Sequence, residues 1–295
     1  MDRLHAMGTL IAAVEAGSLS AAARQLRTPL ATVSRRVSDL ERQLNARLLK
    51  RSARRLTLTP AGESYVAACR RILEDIAEAE RAAAGEYRAP RGELTVTTPF
   101  VFGRLHVVPI VVEFLKAYTD IDVRLRLADH VLSLQDERID VAVRVGTLAD
   151  SSLVAIPVGT IRRIVCASPA YFAARGVPRT PHDLAHHDCV TFEGIAAPRL
   201  WAFPGEPAVA IRSRLAVNGA EAAVDAAVAG AGIAHVLSYQ AADALRRGAL
   251  VIALKEFEPP PLPVHVVHAG ERPLPLKVRS FLDFLGPRLR AALVS

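Results

Sequence analysis

The sequence contains few of the residues from which disulfides and zinc sites are built. Its three cysteines are an odd number and form no Cys-x-x-Cys pair: Cys69, Cys166 and Cys189. This usage favours reduced thiols over disulfides or zinc. Residues 182–189 place three histidines near Cys189, but their spacing fits no common zinc signature, so we interpret the segment as a loop without a metal.

Signature motifs of catalysis are missing as well. The sequence has no Gly-x-Ser-x-Gly, no His-Glu-x-x-His and no phosphate-binding Gly-x-x-x-x-Gly-Lys. Gly230 and Gly232 are better explained by close packing of a helix on a strand than by a phosphate loop. A redox switch between Cys166 and Cys189 is disfavoured, because no basic residue near them in sequence would activate a thiol. We therefore expect no enzyme, no cofactor and no metal.

Long apolar runs are also absent. The most apolar later stretch, residues 220–236, is interrupted by Glu221 and Asp225, which are costly inside a bilayer. The first residues lead into an amphipathic segment and not into the basic flank and apolar core of a signal peptide. We expect a cytoplasmic protein without membrane contact.

Positive charge is present in excess, and it is unevenly placed. The whole sequence has 37 Lys and Arg against 30 Asp and Glu. Residues 1–59 hold 11 of the basic and 4 of the acidic residues, which leaves 26 of each for residues 60–295. The net charge of +7 therefore lies entirely in the first fifth of the chain. This asymmetry predicts a module that binds a polyanion, joined to a neutral body.

Two short helices are predicted at the start of the basic module. They cover residues 5–16 and 19–26, and Gly17 is a typical residue just beyond a helix C-terminus. Ser18 or Ser20 can cap the second helix.

A third helix is predicted over residues 30–44, with Thr28 as its cap and Pro29 at its first position. Its apolar residues fall on one face of a helical wheel: Val33, Val37, Leu40 and Leu44. Arg35 lies opposite that face. A helix buried on one side, with arginine and hydroxyl groups on the other, can enter the major groove of DNA. Alone, the pattern describes a surface helix, but the preceding turn and the charge favour DNA reading.

Two apolar runs flank a basic loop in residues 48–58. This pattern predicts a β-hairpin wing whose arginines meet the phosphate backbone or the minor groove, with an ordinary basic loop as the alternative. The side chains predicted to contact DNA are Ser20, Ala31, Thr32, Ser34, Arg35, Arg36, Ser38, Arg51, Arg54 and Arg55. Of these, Ser34 and Arg35 are expected at bases, and Arg36 with the three wing arginines at phosphates.

The basic module also carries a set of short motifs: VEAGSLSAAA (residues 14–23), VSRRV (33–37), LE (40–41), LLKR (48–51) and LTPAG (58–62). As a joint pattern, residues 4–62 resemble the DNA-binding domain of LysR-type transcriptional regulators. Pro29 stands where a capping Ser or Thr is usual, and Leu30 where a Gln that reads bases is frequent. Asn45 replaces a usual Gly and Leu49 a usual Phe. The fold is not affected, since Asn also tolerates a left-handed backbone.

A long helix is predicted from Thr59 and Pro60, which can cap and start it, to about Tyr87. Its apolar residues are spaced as in a coiled-coil seam: Tyr65, Cys69, Ile72, Ile76, Ala79 and Ala83. Such a stripe often packs on its own domain, but this helix stands between two modules, so we favour a dimer seam. The family resemblance implies the same, because the linker helix is its dimerisation element; it also implies tetramers.

From residue 92 onward, strands alternate with helices. Strands are predicted at residues 93–98, 122–128, 139–143, 162–168, 232–236, 250–254 and 264–268. Helices are predicted to end near residue 117 and to cover residues 169–174, 220–229, 238–247 and 276–293. The alternation predicts an α/β fold with a mainly parallel sheet, helices on both faces, and ligands at the carboxyl ends of strands.

The body carries further motifs: LTVTTP (94–99), DVAVRVG (140–146), CASPAY (166–171), GAGIA (230–234), RGALV (247–251) and KVRSFLDFL (277–285). They resemble, more diffusely, the effector-binding domain of the same family. The resemblance implies two subdomains like those of periplasmic solute-binding proteins. The implied organisation is a winged helix-turn-helix domain (1–59), a linker helix (60–88) and an effector-binding domain (92–295), with subdomain I at 92–160 and 266–295 and subdomain II at 161–265.

By position, the resemblance places the effector cleft between the subdomains at Thr97, Thr98, Pro99, Phe100, Arg144, Gly146, Ser168, Phe192 and Asn218. Thr97 and Thr98 precede a helix and offer hydroxyl and N–H groups to a carboxylate or phosphate, with a simple helix cap as the alternative. Arg144 adds charge if it points inward, whereas an outward ion pair is equally consistent. These residues lead to the hypothesis of a small anionic effector.

We therefore expect a homo-oligomeric transcription regulator of LysR type. Its expected partners are double-stranded DNA, a small-molecule effector, a second copy of the chain and RNA polymerase. An enzymatic or ligand-binding body with an incidental basic module is the alternative, disfavoured by the missing catalytic motifs. A DNA-architectural protein is a third interpretation, which a neutral body of this size disfavours.

Overall fold

The computed structural model of the 295-residue chain describes residues 2–51, 56–83, 89–134, 137, 139–148, 153–192, 199–270 and 274–294. The chain divides into two compact units, Met1–Arg88 and Ala89–Ser295. In the described ranges no single helix is both long and apolar enough to span a membrane; the first two helices would meet that test only as a pair, and they join at a 115° bend.

The described part of the first unit is built from helices and one hairpin: α1 (Arg3–Glu15), α2 (Leu19–Gln25), α3 (Leu30–Gln43), β1 (Leu49–Arg51), β2 (Leu56–Leu58) and α4 (Pro60–Ala83). The first three helices are confirmed to within two residues at each end. Gly17 follows α1 with a φ of +72°, as expected of a residue beyond a helix end. Ser18, and not Ser20, caps α2, since its Oγ accepts a hydrogen bond from the N–H of Ala21 at 3.1 Å.

The start of α3 differs from the prediction. Pro29 has an extended backbone and precedes the first helical residue, so Thr28 is not the cap. The Thr28 hydroxyl instead donates to the carbonyl of Leu26 at 3.1 Å. The turn is closed by Arg27, which takes a left-handed backbone with a φ of +50°. Asn45, after α3, is also left-handed at +48°, as its substitution for glycine predicts.

The core of the first unit joins α3 to the hairpin. Leu40 and Leu48 are at most 1% exposed. One carboxylate oxygen of Glu41 accepts hydrogen bonds from the N–H groups of Leu48 and Leu49, at 2.8 and 3.1 Å. Gly62 lies so close to the hairpin that a Cβ at this position would stand 2.0 Å from the carbonyl oxygen of Leu48. The hairpin is thus fixed against the helices.

The second unit begins with β3 (Gly92–Thr98), α5 (Phe100–Phe102), α6 (Val108–Ala117), β4 (Ile121–Leu127), β5 (Val141–Val145) and β6 (Leu153–Ile161). It continues with β7 (Arg163–Ala167), α7 (Pro169–Arg175), β8 (Asp188–Phe192), β9 (Leu200–Trp201), β10 (Val209–Ala210), β11 (Arg212–Val217), α8 (Ala220–Val228), β12 (Ile233–Leu237), α9 (Ser238–Arg246) and β13 (Val251–Ala253). It ends with β14 (Leu262–Ala269) and α10 (Leu276–Val294). A π-helical turn, Gly103–Val107, joins α5 to α6.

The strands form two five-stranded sheets, ordered β4-β3-β5-β14-β6 and β11-β8-β12-β7-β13, and the small β9–β10 hairpin. In each five-stranded sheet, two neighbouring pairs are parallel and two are antiparallel. The expectation of a mainly parallel sheet is therefore wrong. The chain leaves the first sheet after Ile161 and returns at Leu262, a few residues before the expected return. The antiparallel pairs arise at these two crossings.

Five strands were not predicted from the sequence: β6, β8, β11 and the two short strands of the β9–β10 hairpin. β6 contains Pro157 and Gly159, two residue types that are rare inside strands. β11 is an exposed edge strand without apolar alternation. β8 is only five residues long and begins with Asp188, whose carboxylate is buried with it.

The second unit has core clusters on all four sheet faces, the smallest of them around Ala142 and Val267 of the first sheet. Helices α5, α6 and α10 cover one face of the first sheet, where Phe102, Phe114 and Phe281 are fully buried. Helices α8 and α9 cover one face of the second sheet. The other face is covered by α7 and the β9–β10 hairpin, including Trp201. The two halves of the second unit are in contact through the helices on their sheets, where the rings of Phe102 in α5 and Tyr239 in α9 lie 5.4 Å apart.

Candidate functional site

The exposed face of α3 is the first candidate interface. Val33 and Val37 are fully buried, whereas Ala31 and Arg35 are exposed on the opposite side. Leu30, at the start of the helix, is 49% exposed. A helix that is anchored on one side and carries arginine and small apolar side chains on the other has the form of a major-groove reading helix.

Not all predicted residues of α3 share this face. Thr32, Ser34 and Ser38 are half-buried at its margins. Arg36 lines a cavity of about 650 Å³ together with residues of α1 and α4, among them Glu80. Because Arg36 lies beside α1 and α4, the structure does not bring it together with Arg35.

Two elements flank α3. Ser20 is exposed in the first turn of α2, with its hydroxyl 3.3 Å from that of Ser18. The predicted wing is confirmed as a hairpin, since β1 and β2 pair antiparallel over three residues. Arg54 and Arg55 lie outside the described residues, as does the side chain of Arg51.

Helix α4 starts as predicted, because the Thr59 hydroxyl accepts a hydrogen bond from the N–H of Gly62 at 2.9 Å. The predicted seam, however, begins inside the unit's own core. Cys69 is fully buried, Tyr65 is half-buried, and burial raises the pKa of both side chains. Ile72, by contrast, is 37% exposed. A heptad stripe cannot tell these cases apart, because both a partner helix and the helix's own domain favour the same spacing.

The second candidate site lies where the two sheets of the body meet. Thr98 ends β3 and Gly146 follows β5, two parallel strands of the first sheet. Phe192 ends β8 and Asn218 follows β11, two parallel strands of the second sheet. The carboxyl ends of parallel strands are the usual place for ligands in such folds.

Ser168 does not share this position. It follows β7, which runs antiparallel to β12, whereas β12 is parallel to β8. Ser168 therefore lies at the end of the second sheet's strands that is opposite to the end with Phe192 and Asn218. There its Oγ accepts a hydrogen bond from the N–H of Tyr171 and caps α7. The reversed strand direction, which the sequence did not reveal, removes Ser168 from the cleft.

The two threonines after β3 differ in availability. The Thr97 hydroxyl donates to the carbonyl of Arg126 at 3.1 Å, so it is used within the sheet. The Thr98 hydroxyl is buried and has no hydrogen-bond partner among the described residues. Phe100 is 43% exposed, and its N–H donates to the carboxylate of Asp129 at 2.9 Å. The N-terminal N–H group that was predicted to bind an anionic effector is thus already paired with an internal carboxylate.

Arg144 is buried at 9% exposure. Its guanidinium donates to the carbonyl of Leu132 at 2.6 Å, and burial lowers its pKa. The structure shows neither of the two arrangements left open by the sequence, a charge in the cleft or an outward ion pair, because the guanidinium is directed at a main-chain carbonyl of the segment after β4.

The histidines and cysteines of the body do not form a reactive cluster in the described residues, which hold no group of three metal-ligating side chains. His182 and His186 are exposed, whereas His187 is buried against Tyr171. Cys166 and Cys189 belong to the cores on opposite faces of the second sheet. Burial raises the pKa of each of these two thiols to about 12.

Several residues around the cleft were missed by the sequence analysis. Asp129 lies two residues after the end of β4 at Leu127, a position at which an acid should have been considered. Tyr239 and His106 lie with their rings 5.9 Å apart beside Phe102. Tyr239 belongs to α9 and His106 to the π-helical turn. The residue spacing of neither element indicates a side chain that faces a ligand.

Comparison with known proteins covers nearly the whole chain. Family profiles described as "Bacterial regulatory helix-turn-helix protein, lysR family" and "LysR substrate binding domain" match residues 4–63 and 88–290. An HTH-type transcriptional repressor of Pseudomonas aeruginosa is 34% identical over 97% of this chain and 92% of its own. The HTH-type transcriptional activator AaeR of Escherichia coli is 31% identical over 97% and 93%. The solved structure of CrgA, a LysR-type transcriptional regulator from Neisseria meningitidis, is 30% identical over 97% and 98%, with a TM-score of 0.62.

Proposed function

Because the chain belongs to the LysR family of transcription regulators, we propose that the exposed face of α3 reads its operator and that the cleft of the body binds its effector. The protein is a DNA-binding transcription regulator with an effector-binding domain, and its relatives are regulators, not enzymes. The observation that carries the assignment of α3 is its one-sided burial, which leaves Ala31 and Arg35 to the solvent.

At the operator, Arg35 reaches a guanine edge, for which its bidentate geometry is suited. Leu30 and Ala31 contact thymine methyl groups, because both side chains are apolar and accessible. Ser34 adds a hydrogen bond. Ser20 and the wing arginines hold the phosphate backbone on either side and set the position of the helix.

Members of the family form oligomers, and we assign the dimer contact to the second half of α4. Tyr65 and Cys69 pack into their own unit, so the surface for a partner helix begins near Ile72 and continues through Ile76. In this organisation residues 1–59 read DNA, residues 60–88 pair subunits and residues 92–295 bind the effector. The proposal also includes the assembly of dimers into tetramers and a contact of the DNA-bound protein with RNA polymerase.

The effector lies at the carboxyl ends of the parallel strands, between Thr98 and Phe100 on one side and Phe192 and Asn218 on the other. We keep the hypothesis of an anionic effector, although the N–H of Phe100 does not receive its charge. Binding shifts the spacing of the DNA-binding pairs or the bend of the operator. The protein acts in the cytoplasm, where a bacterial regulator meets its DNA.

Footprinting of the purified protein on its own upstream intergenic DNA, with excess competitor, tests the proposal. We expect a protected site with dyad symmetry, and we expect Arg35→Ala to need a higher protein concentration for that protection while the exposed control Arg246→Ala protects as the wild type does. Equal protection by both variants would remove α3 from base reading.

A further inference from the structure

Polar atoms without partners gather on one face of the second sheet. His235, on β12, is 4% exposed, and neither of its ring nitrogens has a hydrogen-bond partner in the described part of the chain. The indole N–H of Trp201, which is 1% exposed, lacks an acceptor in the same way. The two rings are in contact, with centroids 5.0 Å apart. Burying a polar group without a partner is costly, so three such atoms in one place call for an explanation.

Arg163 lies on the same sheet face. It stands opposite Leu237 in the β7–β12 pair, two residues along each strand from the pair of Val165 and His235. Residues two apart on a strand share a face, so the Arg163 and His235 side chains are diagonal neighbours. The electrostatic influence of Arg163 on His235 is consistent with this proximity.

The guanidinium of Arg163 is half-buried and has no hydrogen bond or ion pair with any residue that the structure describes. Burial lowers its pKa. The neighbouring Arg162 shows the usual arrangement, since it forms two hydrogen bonds with the carboxylate of Glu258 at 2.7 and 2.6 Å. A half-buried arginine without a counter-charge is an unfavourable arrangement unless something supplies the anion.

The numbers of hydrogen-bond donors and acceptors on Arg163, His235 and Trp201 are unequal. Arg163 offers five N–H donors, the Trp201 indole one and a neutral His235 one more, against a single acceptor nitrogen of that histidine. The group therefore lacks an acceptor with negative charge. Phe203 closes the far side, stacked on His235 at 15° with ring centroids 5.5 Å apart. The surroundings are thus aromatic around a donor-rich centre.

We propose that Arg163, His235 and Trp201 form a binding site for a small oxyanion, a carboxylate or a phosphate, whose charge neutralises Arg163. The site goes beyond the proposed function, since it lies on the face of the second sheet that packs against α7 and the β9–β10 hairpin and not in the cleft. It does not include Thr98 or the start of α5, where Asp129 already occupies the N–H of Phe100. Oxyanions suit the planar guanidinium fork, which binds them through two parallel hydrogen bonds.

The chain offers a direct reporter, because Trp201 is its only tryptophan. The full-length protein is titrated with sodium acetate and, separately, with inorganic phosphate, while sodium chloride holds the ionic strength constant. We expect a saturable change in Trp201 fluorescence with at least one of the two anions, and the anion that binds more tightly identifies a carboxylate or a phosphate ligand. Arg163→Gln should weaken this binding about tenfold or more, as the loss of charge-assisted hydrogen bonds requires.

Two further variants make the test decisive. Arg246→Gln, an exposed arginine on α9 paired with Asp243, should bind the anion as the wild type does. Arg163→Lys keeps the positive charge but lacks the planar guanidinium fork. Its affinity for the anion should lie between those of the wild type and Arg163→Gln, a graded result that a folding defect in Arg163→Gln would not give. The absence of a saturable signal with either anion, or equal affinities for the Arg163 and Arg246 variants, would overturn the site. Without added anion, the footprint of Arg163→Gln on the operator should match that of the wild type. The footprint therefore tests the proposed DNA interface independently of the proposed anion site.

Discussion

The two units of the molecule place their functional groups differently. Residues 1–59 hold the entire excess of positive charge, and α3 presents Arg35 at the surface. Residues 60–295 are charge-balanced, and the groups that set the second unit apart, His235 and Trp201, are buried. The first unit is suited to a large, rigid polyanion that must be met from outside. The second is suited to a small ligand that can be enclosed and desolvated.

Single glycine exchanges should separate the two units most strongly. In Gly62→Ala the new methyl group would meet the carbonyl oxygen of Leu48 at 2.0 Å, and in Gly232→Ala that of Asp188 at 2.3 Å. We expect each change to destabilise its own unit by about 2–4 kcal/mol, as overpacking against rigid backbone does. Denaturant unfolding followed by Trp201 fluorescence reports the second unit. The Gly232 variant should shift this transition and the Gly62 variant should not; equal shifts would contradict the division.

Acid should weaken the second unit. Burial, with a smaller contribution from the charge of Arg163, lowers the pKa of His235 to about 3, against about 6.5 in an unfolded chain. The unfolded state therefore binds the proton first, so stability is complete above pH ~6.5 and falls by about 1.4 kcal/mol per pH unit below it, down to pH ~3. Unfolding of the wild type and of His235→Phe at a series of pH values measures this. An equally steep loss in the variant would assign the effect elsewhere.

Arg35→Ala sharpens the comparison from the other side. The loss of a bidentate guanine contact should cost about 1–3 kcal/mol in operator binding and relax specificity at one base pair. Competition between operator and scrambled duplexes measures the change. The fluorescence response of Trp201 to acetate or phosphate should remain that of the wild type.

The smallest effect is expected from the wing. Arg51→Ala or Arg54→Ala should weaken binding to all sequences alike and reduce the slope of log affinity against log salt by about 1. Affinities for two unrelated duplexes at several salt concentrations provide the slope. A slope like that of the wild type would take the wing out of the interface.

The first unit was the more predictable from sequence because its signals are local. Gly17, Asn45 and the short apolar runs of the hairpin act within a few residues of the structure they form. The exceptions were positions where one pattern serves two structures. Pro29 could start the helix or precede it, and the stripe beginning at Tyr65 and Cys69 could face a partner or its own core.

The second unit depends on pairings between distant parts of the chain. The family resemblance placed Ser168 in the cleft, but the direction of β7 is set by its antiparallel pairing with β12, some seventy residues later in the chain. His235 reads as one polar residue in an apolar strand, and Arg163 as one of two adjacent arginines. Their meeting depends on strand register, for which the sequence carries no local signal.

The division of labour between the units is tested most directly by one matched measurement on the full chain. Wild type, Arg35→Ala and Arg163→Gln are each assayed for operator preference over scrambled DNA and for the Trp201 response to acetate and phosphate. The account predicts that Arg35→Ala has a reduced operator preference and an unchanged anion response, whereas Arg163→Gln has an unchanged operator preference and a weakened anion response. An operator preference in Arg35→Ala equal to that of the wild type would contradict it.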